Sequence, residues 1–287
     1  MLMALIPSLL LAAPPPKDFA DQTRAWHAER EARLKAEDGW LTLVGLDWLD
    51  EGASTAGSAE DAKLHLPPPA PPHLGTFTRA GKTLAFQPAP GVAITCGGKP
   101  FAGGALRTDE SGKPDVLEVS GMHLYAIVRG DRVGLRIKDP KAPARLHFKG
   151  IPTWEPDLGW RIVARWEPTP GATLPVANVL GQVEDAPAPG VAVFTVNGKE
   201  LRLRPIQEPG ETELFFVFGD ETNRTDSYGA GRFLYADAPV DGHVVLDFNR
   251  AVNPPCAFSN FATCPVPPPG NRLAVRVTAG EKRYAAH

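Results

Sequence analysis

Three cysteines, three methionines and four tyrosines are all that this 287-residue sequence contains of those types. So few cysteines cannot staple a disulfide-dense scaffold, the usual device of chains too small for their own core. An excess of one charge is missing too: 30 Lys and Arg face 33 Asp and Glu, a formal −3. With no net positive field to displace counterions, the balance argues against a dedicated nucleic-acid binder. No apolar run approaches the ~20 residues of a membrane span. The nucleophile elbow G-x-S-x-G, the phosphate loop G-x-x-x-x-G-K-[ST] and the zinc motif H-E-x-x-H are all absent. The seven histidines are scattered, and His123 and His147 read as ordinary strand residues. No fixed-period repeat occurs, which with the composition excludes collagen, coiled coil and wholesale disorder.

What the chain does have is glycine and proline, 28 and 31 residues, with 43% hydrophobic residues to build a core. Proline is about twice its usual share. The length suits one large or two small domains.

Residues 1–16 read as a signal peptide or disordered start. Apolar stretches at 2–5 and 9–11 end in Ala12-Ala13, a signal-peptide core in outline. No Lys or Arg precedes them, and Pro14 follows the cleavage point. Export to the periplasm or medium is the expectation, with a cytoplasmic location the alternative. Residues 17–38 read as one helix, rich in Ala, Glu, Arg and Lys, with Gly39 as a stop.

Helical periodicity then disappears. Short alternating segments follow, among them 83–86, 123–128, 133–137, 145–148, 161–166, 191–196, 200–204, 214–218, 244–248 and 273–277. Asn197-Gly198 and Gly130-Asp131 sit between consecutive segments, as tight hairpin turns require. The fold class is mostly β: an N-terminal helix, a β half over 39–150, and a second closely packed β half over 151–287. The soft boundary falls at Gly150-Ile151-Pro152. The six tryptophans read as packing between layers rather than sugar platforms.

Gly52, Gly57-Ser58, Lys63-Leu64-His65-Leu66-Pro67 and His73 resemble the opening of a forkhead-associated domain. That resemblance implies a β-sandwich in the first half. In that family an Arg after the second Gly and a Ser three residues before the His hold a phosphothreonine. Ser58 and Ala70 stand there instead, so the charge-assisted grip on phosphate is missing and phosphopeptide reading is not expected.

The densest motifs lie near the C-terminus. Tyr228-Gly229-Ala230-Gly231-Arg232-Phe233-Leu234 is followed by Asp247-Phe248-Asn249-Arg250-Ala251, then Asn253-Pro254, then Cys264-Pro265-Val266-Pro267-Pro268. With Trp40-Leu41-Thr42-Leu43-Val44-Gly45-Leu46-Asp47-Trp48-Leu49 upstream, this order resembles the bacterial and archaeal family DUF1684. The resemblance implies kinship but no reaction.

The chemistry must come from residue types. On a strand, Asp247 and Asn249 would share one face, with Phe248 on the other. A ligand site would gather Tyr228, Arg232, Asp247, Asn249, Arg250 and Asn253, with an arginine taking an acidic group. The leading expectation is a binding protein for a small or peptidic polar ligand. Alternatively Asp220 and Asp247 form a catalytic carboxylate pair, as acid and base or as metal ligands of a hydrolase. A third possibility is a structural or interaction module, with an Asp247–Arg232 ion pair and asparagines that serve only loop backbone. No cofactor is implied. Cys256 and Cys264 share a short loop bracketed by prolines; in an exported chain a disulfide is expected, and in the cytosol a reduced pair. Their spacing fits no usual zinc pattern.

Overall fold

Short alternating segments can bury an apolar face only by pairing edge to edge and stacking, and this chain does so twice. The structure, a computed structural model, describes residues 18–284. The expected signal peptide lies outside the described residues. The fold is mostly β-sheet with an N-terminal helix, Phe19–Leu34. Asp21 in its first turn and Arg33 in its last complement the helix dipole. The helix ends four residues before the expected Asp38, and Gly39 then packs against its last turn, where a Cβ would be 2.2 Å from Leu34 O.

The chain divides into two units. One comprises Arg30–Gly150 with Pro255–Cys264, and the other Ile151–Pro254 with Pro265–Tyr284 and the described residues before Arg30.

In the first unit, a six-stranded antiparallel sheet runs in the order Leu43–Leu49, Arg132–Lys138, Met122–Arg129, Leu117–Val119, Thr95–Cys96, Lys99–Pro100. A five-stranded sheet orders Leu64–His65, Gly52–Gly57, Gly75–Ala80, Thr83–Pro88 and Gly104–Leu106. Both contribute to one core, with Leu66, Phe77 and Phe86 from one side meeting Met122, Leu124, Leu135 and Ile137. Gly130-Asp131 closes the hairpin that pairs Arg129 with Arg132.

In the second unit, a four-stranded antiparallel sheet has the order Lys199–Leu203, Gly190–Val196, Arg161–Pro168, His243–Asp247. Asn197 and Gly198 both have positive φ, 51° and 76°, which matches the turn's twist to that of the strands it joins. Two ribbons accompany it: Thr173–Ala177 with Val183–Pro187, and Leu214–Phe218 with Arg232–Ala236. Phe248 is the hub of this core, with ring centroids 5.4 Å from Phe218, 5.9 Å from Phe194 and 6.0 Å from Trp160.

Two expected strands are absent as such. Residues 145–148 belong partly to a short helix, Pro143–Leu146; Pro143 presets the first helical turn and offers no N–H to a ladder. Residues 273–277 alternate in burial as a strand would, with Leu273, Val275 and Val277 inside. Yet they form no ladder: Leu273 and Val275 bond to the backbone of Gly219 and Glu221, and Val277 bonds to side chains. Among the described residues no helix is long and apolar enough to cross a membrane.

Candidate functional site

The apolar strand Leu214–Phe218 delivers Asp220 to its end, and the partner strand opens with Arg232, whose Cα pairs with Phe218. Two residues bring the pair together. Gly231, at φ +107°, lets the backbone pass where a Cβ would stand 2.4 Å from Pro267 and 2.6 Å from the Phe218 carbonyl. Asn223 holds the turn between them: its Oδ1 accepts from the Asp220 N–H at 2.8 Å, and its Nδ2 donates to Ser227 Oγ and the Tyr228 carbonyl.

Asp220 is fully engaged. Oδ2 accepts from Arg232 Nη2 at 2.7 Å, and Oδ1 accepts from the N–H groups of Thr222 and Val277 at 2.8 and 3.1 Å. Arg232 also donates to the carbonyls of Ala279 and Val277, and its guanidinium lies 5.2 Å from the Trp154 ring centroid and 5.3 Å from that of Phe218. These bonds occupy the segment expected to be a strand. Both side chains of the pair are shielded from solvent. Burial pulls the Arg232 guanidinium down from its ordinary range, and the Asp220 and Glu281 carboxylates oppose that pull.

Glu281 is the residue that sequence reasoning missed here. It is wholly buried and accepts from the Asn253 N–H at 2.6 Å. Asn253 in turn donates through Nδ2 to the Lys282 carbonyl. The signal was available: Glu281 continues the buried register of Leu273, Val275, Val277 and Ala279, an acid in an apolar row. Asn271 was passed over too; it clamps Arg204 from both sides and donates to the Val217 carbonyl.

Asp247 and Asn249 belong to a separate cluster. The strand stops at Asp247, whose Oδ1 accepts from the Asn249 N–H and Nδ2, at 3.2 and 3.0 Å, and so turns Phe248–Arg250 into a 3-10 helix. The expectation that Asp247 and Asn249 line one face of a strand is thereby corrected. Asn249 exchanges two bonds with the Asp157 backbone, and its own carbonyl lies 2.8 Å from His27 Nε2. The ion pair expected between Asp247 and Arg232 is corrected as well: Arg232 takes Asp220, while Asp247 faces Arg250 Nε at 3.8 Å. Among the described residues no hydrogen bond or ion pair joins Asp247 to Asp220 or Arg232.

Arg250 is the exposed member. Its side chain retains 44% of its accessible surface and its guanidinium lies 5.6 Å from the Trp26 ring centroid. Tyr228 is half-buried, and burial pushes its phenol up. Cys256 and Cys264 form a disulfide, with Cα atoms 6.2 Å apart. Among the described residues no group of three or more His, Cys, Asp or Glu could hold a metal ion. A pocket of about 350 Å³ lined by Thr55, Asp61, His73 and Gln87, and one of about 260 Å³ lined by Glu208, Glu211, Phe215 and Tyr235, contain none of the expected site residues.

Residues 146–282 match the family model described as "Protein of unknown function (DUF1684)". The match takes in the motifs at Tyr228, Asp247 and Cys264 and leaves 40–49 outside. A solution NMR structure of an uncharacterized protein of Haloarcula marismortui is similar at 28% identity over 50% of this chain and 81% of that one, with a TM-score of 0.42. No curated protein matches. The family match, over residues 146–282, gives no support to the forkhead-associated resemblance at 52–74.

Proposed function

We propose that this chain binds a small or peptidic polar ligand through an acidic group received by Arg250. The observation that carries the reading is the guanidinium half exposed above Trp26, held along one edge by Asp247 with no other ion pair among the described residues. A guanidinium posed over an aromatic face loses little freedom when it takes a carboxylate in bidentate fashion. Asp247 and Asn249 serve as the frame that holds the turn. Asp220, Arg232 and Asn253 are buried and committed to neighbours, so they stabilise rather than receive. Leaving phosphopeptides aside is supported at the Ser58 position, where Oγ donates to the Ala70 carbonyl at 2.9 Å. Export is part of the proposal, and a disulfide suits an oxidising compartment.

The test uses acetylated dipeptides with a free C-terminal carboxylate, and the same peptides as C-terminal amides, followed by amide NMR shifts of the full chain. Carboxylate peptides should move resonances around 247–251 and the amides should not. Equal response of wild type and Arg250→Ala would refute the reading.

A further inference from the structure

The six-stranded sheet of the first unit turns one face to its core and the other away. On that second face, Arg136 and Lys138 of the strand Arg132–Lys138 stand beside Tyr125 of the strand Met122–Arg129. Trp40 covers them: its ring centroid is 5.2 Å from the Arg136 guanidinium and 5.7 Å from Lys138 Nζ, which is also 5.6 Å from the Tyr125 ring. Arg136 keeps only 6% of its accessible surface.

A buried guanidinium is costly unless a carboxylate compensates it. Arg232, in the other unit, has that compensation. Arg136 does not: among the described residues no carboxylate lies within 4 Å of it, and its Nε–H finds no acceptor. Among the described residues its polar partner outside the sheet is Thr263 Oγ1, a neutral group 3.1 Å from Nη2 and also 3.2 Å from Arg129 Nε. Arg129 is neutralised by Asp109 at 2.7 Å. Lys138 donates to the Asp38 carbonyl and likewise has, among the described residues, no carboxylate within 4 Å. Burial and the neighbouring Arg136 push its ammonium down, while Asp38 opposes them. Two close cations, an orphaned donor and aromatic walls thus have, among the described residues, no carboxylate within ion-pair distance. Trp40, Tyr125 and Lys138 are half-buried, so the edge of the cluster meets solvent.

We propose that Arg136, Lys138, Trp40 and Tyr125 form a binding site for a small oxyanion, a carboxylate or phosphate group, on this face of the six-stranded sheet. It is a second site, independent of Arg250. The test is thermal unfolding of the full chain titrated with sodium phosphate and, separately, sodium acetate, at ionic strength held constant with sodium chloride. Wild type and Arg250→Ala should show a saturable rise in Tm. In the Arg250→Ala background, which removes the first site, Arg136→Gln should abolish it, and Lys138→Gln should weaken the midpoint by about tenfold, as loss of one charge-assisted bond requires. A rise with phosphate alone assigns a phosphate-bearing ligand, and one with acetate alone a carboxylate. No saturable rise with either anion overturns the proposal, as does an undiminished rise in Arg136→Gln. Should that variant not fold, an unchanged midpoint in Lys138→Gln overturns it equally.

Discussion

Arg232 donates to Asp220 across 2.7 Å while neither side chain touches solvent. The bond closes one end of a strand pair, and the remaining acceptors of Arg232 come from the chain's last buried segment, at Val277 and Ala279. Backbone bonds to Gly219 and Glu221 hold Leu273 and Val275, and this one guanidinium continues the fastening at Val277 and Ala279. Its function is to fasten that segment to the unit.

Removing one partner of such a pair leaves the other charged and buried. Asp220→Asn and Arg232→Met should each cost about 3–5 kcal/mol in urea unfolding. Arg136→Met should behave differently, because no carboxylate is left stranded; it should cost less than about 1 kcal/mol or stabilise the anion-free protein. Equal losses at 136 and 232 would mean that Arg136 has compensation not visible in its surroundings.

The glycines around the pair separate conformational need from mere spacing. Gly231→Ala places a Cβ 2.4 Å from Pro267 at φ +107°, so it should cost at least about 2 kcal/mol. Gly229→Ala meets only Arg224 Cγ, at 3.4 Å, and should stay within about 1 kcal/mol of wild type. Comparable losses at both positions would contradict the geometry.

Much of this fold could be read from local pattern, because period-two alternation and turn chemistry are properties of neighbours in sequence. Asn197-Gly198 announced its hairpin, and the mostly β class followed from many such segments. The short run at 145–148 misled because so brief an apolar stretch does not distinguish helix from strand. At the candidate site, residue types were legible and partners were not. Arg232 could have met Asp220, Asp247 or Glu281, and nothing in their spacing reveals which carboxylate folding delivers. Trp154 carried no local mark at all, since its role arises from the ring it lays beside Arg232 and Lys282.

Asp47 makes a pH-dependent prediction. It pairs in register with Leu135, a wholly buried core residue, so its carboxylate lies on the inward face of the strand Leu43–Leu49. Burial pushes its pKa up, with His65 opposing. A raised folded-state value means that the protonated form favours folding. That contribution is complete below the unfolded value of about 3.9 and is lost as pH rises through the folded value. Asp47→Asn escapes the loss. The stability difference, variant minus wild type, should therefore grow as pH rises from 4 and then level off. A difference independent of pH between 4 and 7 would show that Asp47 is not held against the core.

The cysteines can be told apart by their chemistry. Cys256 and Cys264 are bonded, and the loop they close anchors itself through Ser259 Oγ, which donates to the Leu43 carbonyl at 2.9 Å. Cys96 is a thiol, half-buried, and burial with the nearby Asp115 carboxylate pushes its pKa up. In unfolded chain without reductant, iodoacetamide should add once; after reduction it should add three times. In the folded protein the single addition at Cys96 should be slow at pH 7 and faster at pH 9, because the thiolate is the reactive form. Reducing the disulfide should lower stability by about 2.5 kcal/mol, the entropy that so short a loop removes from the unfolded chain. Three additions without reductant would show the pair to be reduced, and the loop would then owe its order to Ser259 and the flanking prolines alone.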